Sequence, residues 1–341
     1  MRLFACLTCS IVITCLSGCG DLKLPNLEDT ETPVADEVPA VVEQPATPAV
    51  SLSPQQLIDS VVGKNSRDIT DADLAQLAAL ESGLENITEL NLRSATISSE
   101  SFKSMASFPA IKKLNMEATR LTDPNWNLLS GVKSLEWLNV TRSAVNDAYM
   151  KHIADLPQLQ YLSLTETVVT DNGLNALINQ SQLTEIDVSA TEINGSGFAA
   201  LGQKGARAPI RVVRAARSQI GYQGFIYFKE FPGLEEVYAS GSSVTDGSME
   251  GLKRNTKLRV LDISGNMVTD TGLKNLSGAK GLEELNVKEN RNVTDASLKR
   301  LQKYPKLVKL NINKTTCTVR GVESLKKALP DCEVYFMQKT F

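Results

Sequence analysis

Residues 264–287 read SGNMVTDTGLKNLSGAKGLEELNV, and both halves of this stretch recur elsewhere in the chain. The first half, V-T-D-x-G-L, returns with small changes at 168–174, 244–249 and 293–298. The second half, L-x-x-L-x-V, begins at every 24th residue, with wider steps of 27 and 25 residues before positions 210 and 307. So regular a period predicts a solenoid of stacked repeats. The first apolar residue of the ten repeats is Ile87, Ile111, Leu135, Leu159, Leu183, Ile210, Leu234, Leu258, Leu282 and Leu307.

Each repeat contains the patterns of a strand and of a short helix. In L-x-x-L-x-L the apolar residues at the fourth and sixth positions, such as Leu138 and Val140, alternate with polar ones, which predicts a strand with one buried face. Further on, apolar residues lie three apart, as in Leu174 and Leu177, which predicts the buried stripe of a helix. The Thr-Asp pair before that stripe predicts a helix N-cap, and either residue could provide it.

A single strand and a short helix cannot bury their apolar faces alone, so neighbouring repeats must stack. The predicted fold is α/β, a curved horseshoe with a parallel sheet on its concave side and helices on its convex side. The segments L-E-W-L-N-V (135–140), L-Q-Y-L-S-L (159–164) and L-R-V-L-D-I (258–263) resemble leucine-rich repeats. The resemblance covers roughly residues 69–341. Within the family, the repeats are most similar to those of the bacterial, ribonuclease-inhibitor-like branch.

The ninth position of each repeat departs from the pattern that this resemblance implies. The family usually has Asn or Cys there, and the side chain caps amides of neighbouring turns. This chain has Asn266 and Asn290 at two of these positions. We expect the hydroxyls at the others to act similarly; they are Thr119, Ser143, Thr167, Thr191, Ser218, Ser242 and Thr315.

The N-terminus has the pattern of a secretory leader. Arg2 precedes a mainly apolar run that ends at Leu16, too short for a membrane-spanning helix, which needs about 20 apolar residues. The following L-S-G-C resembles the lipobox of bacterial lipoproteins, which implies a leader over residues 1–18 and lipidation of Cys19. Two or more acyl chains give lasting membrane attachment. The alternative is an ordinary cleaved leader with an incidental cysteine.

The composition of residues 19–52 predicts a disordered, acidic tether. From residue 20 onward the segment holds five prolines and seven acidic residues against one lysine, and such a segment cannot build an apolar core. As a polyproline-like chain of about 3.1 Å per residue it would reach up to ~100 Å. The whole chain has a formal net charge of −3, which gives no case for nucleic acid binding over its entire surface.

The remaining chain divides into three predicted parts. Ser53-Pro54 followed by spaced apolar residues predicts an N-capped helix, so residues 53–86 are expected to form a capping helix and a partial repeat. Residues 87–331 hold the ten leucine-rich repeats. Residues 332–341 alternate apolar and polar, which predicts a C-terminal closing strand over the end of the stack.

No pattern in the sequence indicates an assembled active site or metal site. There is no histidine pair, G-x-S-x-G or G-x-x-x-x-G-K motif, and the one histidine, His152, falls on an outer helix. Glu185 and Asp187 share a strand face at a spacing that a glycosidase could use, against the plainer interpretation of a solvated face. Cys317 and Cys332 are either buried thiols or, in an oxidising compartment, a disulfide. We expect no catalysis, cofactor or metal.

Binding is easier to connect with the sequence than catalysis. The third and fifth positions of each repeat point to the concave side, away from the core. Rigid aromatic rings and guanidinium groups there suit a protein, peptide or sugar ligand. Two alternatives stay open, because the aromatic pair could only stabilise the sheet and Arg214 could pair internally with Asp187 on the neighbouring strand. The expected ligand-binding residues are Trp137, Tyr161, Asp187, Arg214, Tyr238 and Asp262.

These patterns predict a non-catalytic, membrane-tethered leucine-rich repeat protein that binds a protein or peptide partner through its concave sheet. It is expected in the bacterial cell envelope, lipid-anchored and facing the periplasm or the cell surface, with no nucleic acid or metal partner. The alternatives are a structural, envelope-organising lipoprotein without a specific concave ligand, and a carbohydrate-binding or hydrolytic protein.

Overall fold

The computed structural model of the protein describes residues 52–121, 126–203, 208–221 and 223–341. The predicted leader, Cys19 and nearly all of the predicted tether lie outside the described residues. Residues Ser51–Phe341 form one compact unit. Among the described helices, none combines the length and the apolar character that a bilayer crossing requires.

The described residues form one sheet of twelve short strands that follow each other in chain order. Pairing is parallel from β1 to β11, and β12 runs antiparallel to β11. This open arrangement is the α/β solenoid that the 24-residue period predicts. The strands are β1 Glu89–Asn91, β2 Lys113–Asn115, β3 Trp137–Asn139, β4 Tyr161–Ser163, β5 Glu185–Asp187, β6 Val212–Arg214, β7 Glu236–Tyr238, β8 Val260–Asp262, β9 Glu284–Asn286, β10 Lys309–Asn311, β11 Glu333–Phe336 and β12 Lys339–Thr340.

Short helices return the chain from one strand to the next. The α-helices are α1 Pro54–Val62, α2 Asp71–Ala78, α3 Glu100–Ala106, α4 Asp147–Ala154, α5 Asp171–Asn175, α6 Phe198–Leu201, α7 Gly224–Tyr227, α8 Asp270–Leu273, α9 Asp295–Leu301 and α10 Val319–Ala328. The 3₁₀ segments are Ser66–Asp68, Leu84–Asn86, Trp126–Gly131, Ala176–Asn179, Phe228–Glu230, Ser248–Leu252 and Lys274–Gly278. The predicted outer helices are therefore present, but several have only one turn of α-helix or consist of 3₁₀-helix.

The core lies between the sheet and the helices and runs the length of the stack. The middle residues of the strands point inward, and Leu138, Leu162 and Leu261 are all 0% exposed. The strand register sets Leu138 directly opposite Leu162, so equivalent residues of successive repeats contact each other. The first helix has the predicted N-cap, since Ser53 and Gln56 form a reciprocal capping box.

The recurring Thr-Asp pair joins several repeats to the next one. The threonine is the N-cap, and the Thr294 side chain accepts a hydrogen bond from the amide of Ala296. The aspartate is the first helical residue, and its carboxylate binds the threonine of the following repeat. Asp270 accepts from Thr294 N at 3.1 Å and from Thr294 Oγ1 at 2.6 Å. The same two bonds join Asp147 to Thr170, Asp246 to Thr269 and Asp295 to Thr318.

The glycine of V-T-D-x-G-L leaves space for the carboxylate of the preceding repeat. A Cβ atom on Gly173 would lie 2.5 Å from Asp147 Oδ1, so a larger residue would displace the acid. Where serine takes this place, its hydroxyl donates to the carboxylate instead, as Ser297 does to Asp270 Oδ1 at 2.5 Å. The same crowding holds for Gly272 beside Asp246 and Gly321 beside Asp295. The V-T-D-x-G-L motif therefore forms a contact between repeats and also begins a helix.

The 27-residue step of the sequence coincides with a change in this contact. Asp171 accepts from three backbone amides of the next repeat, those of Asn194, Gly195 and Gly197. That repeat has no aspartate to continue the series. Instead Gly224 N donates to Asn194 O, and Gly195, at φ +95°, lies so close to Gly224 that a Cβ would overlap it. Backbone contact between glycines replaces the carboxylate here.

The ninth-position hydroxyls do not act as expected. Thr191 Oγ1 donates to Val188 O of its own turn at 2.6 Å, and the equivalent hydroxyls bond the same carbonyl of their turns, except Ser242. Among the ninth-position side chains of the described turns, only the two asparagines accept from amides of a neighbouring repeat. Asn266 Oδ1 accepts from Ser242 N and Val244 N, and Asn290 Oδ1 accepts from Val268 N. The Ser242 hydroxyl reaches the preceding repeat only to donate to Ala215 O, so the expected capping of neighbouring amides by these hydroxyls was wrong.

Candidate functional site

The first and third residues of each strand line the outward side of the sheet, which we call the sheet face. The register aligns the first residues in one column, from Glu89 to Glu333, and the third residues in another, from Asn91 to Tyr335. All six predicted binding residues lie in these two columns. Their side chains are partly exposed, whereas the middle residues between them are buried.

Trp137 and Tyr161 form a stacked pair on the sheet face. They are register partners on β3 and β4, their ring centroids lie 4.9 Å apart, and the ring planes differ by 8°. Burial, followed by the negative charge of Asp187, raises the pKa of the Tyr161 hydroxyl. A cavity of about 310 Å³ borders both rings, and Glu185 also lines it. The pair therefore offers a rigid aromatic edge beside a polar cavity.

Arg214 on β6 lies opposite Asp187 in the register, but its ion pair is with a different acid. Arg214 Nη1 is 3.2 Å from Glu185 Oε2, and its guanidinium carbon lies 5.3 Å from the centroid of the Tyr238 ring. The alternative of internal pairing is therefore present, but with Glu185 in place of Asp187, because the long side chain reaches diagonally across the sheet. The Arg214 side chain remains about one-third exposed, so part of it is accessible to a ligand.

Asp187 and Asp262 have a structural role that the sequence interpretation missed. Asp187 Oδ1 accepts from Ser189 N at 2.9 Å, and Asp262 Oδ1 accepts from Ser264 N at 2.9 Å and Ser264 Oγ at 2.7 Å. These are Asx turns that end the strand. The same bond recurs for Asn91, Asn115, Asn139, Asn286 and Asn311. The signal was visible as an Asn or Asp at the third strand residue of most repeats.

A cavity of about 470 Å³ lies on the sheet face over β7 to β11. Its lining includes Tyr238, Asp262 and three residues that were not predicted, Glu284, Lys309 and Tyr335. The floor contains Val260, a small apolar residue between glutamates of the neighbouring strands. From Glu236 to Glu333 the first strand residues are charged except for Val260, and this interruption was a readable signal for the depression. Burial and a hydrogen bond to Glu236 raise the pKa of Tyr238 to about 12, so its hydroxyl stays protonated.

The sheet face is acidic from β5 onward. Its two columns hold six carboxylates there against Arg214 and Lys309. Glu185 is engaged by Arg214 and Asp187 by its turn, so the pair considered for hydrolysis already has structural partners. The acids are Glu185, Asp187, Glu236, Asp262, Glu284 and Glu333.

Other potentially reactive groups lie away from the sheet face. Within the described residues, no group of three or more His, Cys, Asp or Glu side chains is placed to hold a metal ion. Cys317 and Cys332 are free and buried, and burial raises the pKa of each thiol to about 11. His152 lies on α4, where burial and then the charge of Lys151 lower its pKa.

Comparison with known proteins agrees with this geometry. The family model described as "Leucine Rich repeat" matches residues 254–277, which span the end of one repeat, β8, α8 and most of the 3₁₀ segment Lys274–Gly278. This segment is a leucine-rich repeat. The other units of the sheet repeat its strand, turn and helix, so the described fold is a leucine-rich repeat solenoid. A search of curated protein sequences finds none that matches the chain.

Two solved leucine-rich repeat structures are similar to the chain. One is an internalin of Listeria monocytogenes, 14% identical, with 84% of this chain and 98% of the internalin covered and a TM-score of 0.49. The other is a leucine-rich repeat protein of Leptospira interrogans, 14% identical, with 77% and 74% covered and a TM-score of 0.47.

Proposed function

We propose that this protein is a lipid-anchored, non-catalytic binding protein of the bacterial envelope that holds a protein or peptide partner on its sheet face. The observation that carries the proposal is the stacked, partly exposed pair of Trp137 and Tyr161. Large rings already held in place lose little conformational entropy on binding, which is why aromatic residues dominate binding energy at protein interfaces.

The rest of the sheet face supports a peptide-like ligand. The partly exposed guanidinium of Arg214 can bind a carboxylate or a backbone carbonyl. The cavity at Tyr238 and Tyr335 has an apolar floor and is lined by Asp262, Glu284 and Lys309, with Lys309 3.4 Å from Glu284. Two acids against one base suit a basic side chain with an apolar stem. The excess of acids from β5 onward favours a partner segment of net positive charge.

We expect the substitutions Trp137→Ala and Tyr161→Ala, made together, to weaken partner binding about 30-fold or more. Truncating an aromatic anchor at an interface costs about 2 kcal/mol or more, and two stacked rings act as one unit. The measurement is quantitative recovery of partners from envelope extract by the tagged chain, followed by titration of the strongest one. Val168→Ala with Met267→Ala is the matched control, because these apolar side chains are exposed in turns off the sheet face. Equal recovery by all three chains would remove the aromatic pair from the binding site and favour the envelope-organising role.

The lipid anchor is supported by the sequence around Cys19. The residues L-S-G-C follow a charged residue and a short apolar run, which is the arrangement that lipid-modifying enzymes act on in the family that it resembles. An acylated chain would hold the solenoid at a membrane surface through the acidic, proline-rich segment that follows.

We expect Cys19→Ser to abolish acylation and to move the protein from the membrane fraction to the soluble or uncleaved pool. Metabolic labelling with a fatty acid, followed by fractionation, measures both effects. Cys9→Ser is the control, because this cysteine lies inside the predicted leader. Membrane association of cleaved, unlabelled Cys19→Ser chain would show that another feature attaches the protein.

A further inference from the structure

The segments that return the chain to the sheet differ in charge between the two halves of the solenoid. We compared the nine residues that end two positions before each strand from β1 to β11. In the last four such segments, 250–258, 274–282, 299–307 and 323–331, eleven Lys and Arg residues stand against three acids. The earlier segments, apart from 202–210, which contains residues outside the described ranges, hold four bases and four acids. The positive charge is therefore concentrated on one edge of four successive repeats.

Most of this charge is not used inside the described fold. Arg300 and Lys326 donate to backbone carbonyls, and they are the two bases that are only partly exposed. The other nine are exposed, and among the described residues only Lys253 has an ion pair, 3.7 Å to Glu250. Lys280 Nζ lies 4.6 Å from the centroid of the Tyr304 ring. These nine, which we call the basic band, are Lys253, Arg254, Lys257, Lys274, Lys280, Lys299, Lys303, Lys306 and Lys327.

The composition of the basic band narrows the choice of partner. Eight of its nine residues are lysines, whose compact charges suit dispersed headgroups, whereas bidentate recognition of one phosphate group favours arginine. The one aromatic residue of these segments, Tyr304, is 4% exposed and donates its hydroxyl to Leu276 O, so no stacking platform for nucleic acid bases is present there. Successive repeats set the band along one edge, which presents the charges together to an extended surface.

We propose that the basic band binds the surface of an anionic phospholipid bilayer. A lysine that lies within a Debye length of such a surface is attracted to its anionic headgroups, and the contributions of several lysines add. The band lies on the return side of the repeats and the candidate ligand site on the sheet face, so both can be occupied at once. The proposal does not depend on acylation of Cys19 or on a partner of the sheet face.

The test uses the full chain made in a cell-free system without lipid-modifying enzymes, and vesicles of phosphatidylcholine with or without phosphatidylglycerol. Neutral vesicles report any contribution of the apolar N-terminus, and the added binding to anionic vesicles reports the band. We expect Lys303→Glu with Lys306→Glu to reduce this added binding by at least about 30-fold, since two attractive charges are removed and reversed. High salt should remove it in the unsubstituted chain.

Lys133→Glu with Lys151→Glu is the matched control, because it changes the net charge equally on the return segments of earlier repeats, where both lysines are exposed. If Lys303→Glu with Lys306→Glu does not fold, Lys257→Glu with Lys327→Glu provides the same test. Equal losses in test and control variants, or equal binding of the unsubstituted chain to both vesicle types, would overturn the proposal. Binding to soluble polyglutamate as tight as to anionic vesicles would overturn it in favour of an acidic polymer.

Discussion

Replacing Asn266 with alanine should lower the free energy of unfolding by about 3–5 kcal/mol, because it leaves several buried backbone groups without partners. The Asn266 side chain accepts from Ser242 N at 2.9 Å and Val244 N at 3.0 Å. Its amide donates to Ala239 O and Ile263 O, both at 2.8 Å. Two consecutive turns therefore depend on one side chain. Chemical denaturation followed by circular dichroism measures the change.

A threonine at the same position should recover part of the loss. Thr191 shows that a hydroxyl in this place bonds the carbonyl of its own turn but does not reach the preceding repeat. We therefore expect Asn266→Thr to lie between the wild type and Asn266→Ala. The control Asn292→Ala removes an exposed asparagine without a side-chain hydrogen bond among the described residues, and should change stability by less than about 0.5 kcal/mol. Equal stability of the threonine and alanine variants would contradict the division of roles between hydroxyl and asparagine.

The parts of the fold that follow from the period alone could be predicted. A 24-residue step sets the strand register, so the burial of Leu138 beneath the sheet and the placement of Trp137 beside Tyr161 both follow from counting residues. These features depend on backbone position, which repeats from unit to unit. The period does not determine whether a helical segment between two strands forms α-helix or 3₁₀-helix. In segments of one turn, that choice depends on local glycines and contacts.

Side-chain partners could not be predicted from the same counting. Arg214 shares a column position with Asp187, yet it pairs with Glu185, since a long flexible side chain can select among several acids within reach. Val260 made part of the cavity predictable, but Tyr335 did not enter the prediction because its strand was interpreted only as a closing element. The contact of Asp270 with Thr294 joins residues 24 apart, and it becomes visible only when the repeats are stacked.

Asp270→Ala should lower the free energy of unfolding by about 2–4 kcal/mol at neutral pH, because three donors of the next repeat lose their acceptor. These are Thr294 N and Thr294 Oγ1, at 3.1 and 2.6 Å, and Ser297 Oγ at 2.5 Å. The loss falls on the interface between two repeats, and in a solenoid the interface terms make unfolding cooperative. The denaturation transition should therefore broaden as well as shift. Asp331→Ala is the control, since Asp331 is exposed and forms no hydrogen bond through its side chain among the described residues.

Acidification gives a second measurement of the same contact. Burial acts to raise the pKa of Asp270, but the hydrogen bonds from Ser297 and Thr294 and the charge of Arg300 outweigh it, so the pKa lies below its ordinary value of 3.8. A carboxyl whose pKa is lowered on folding stabilises the folded state fully above its unfolded value, and this contribution is lost as the pH falls through the folded value. The stability difference between wild type and Asp270→Ala should therefore narrow below about pH 3.8. A difference that stays constant through this range would mean that the carboxylate charge does not strengthen the contact between repeats.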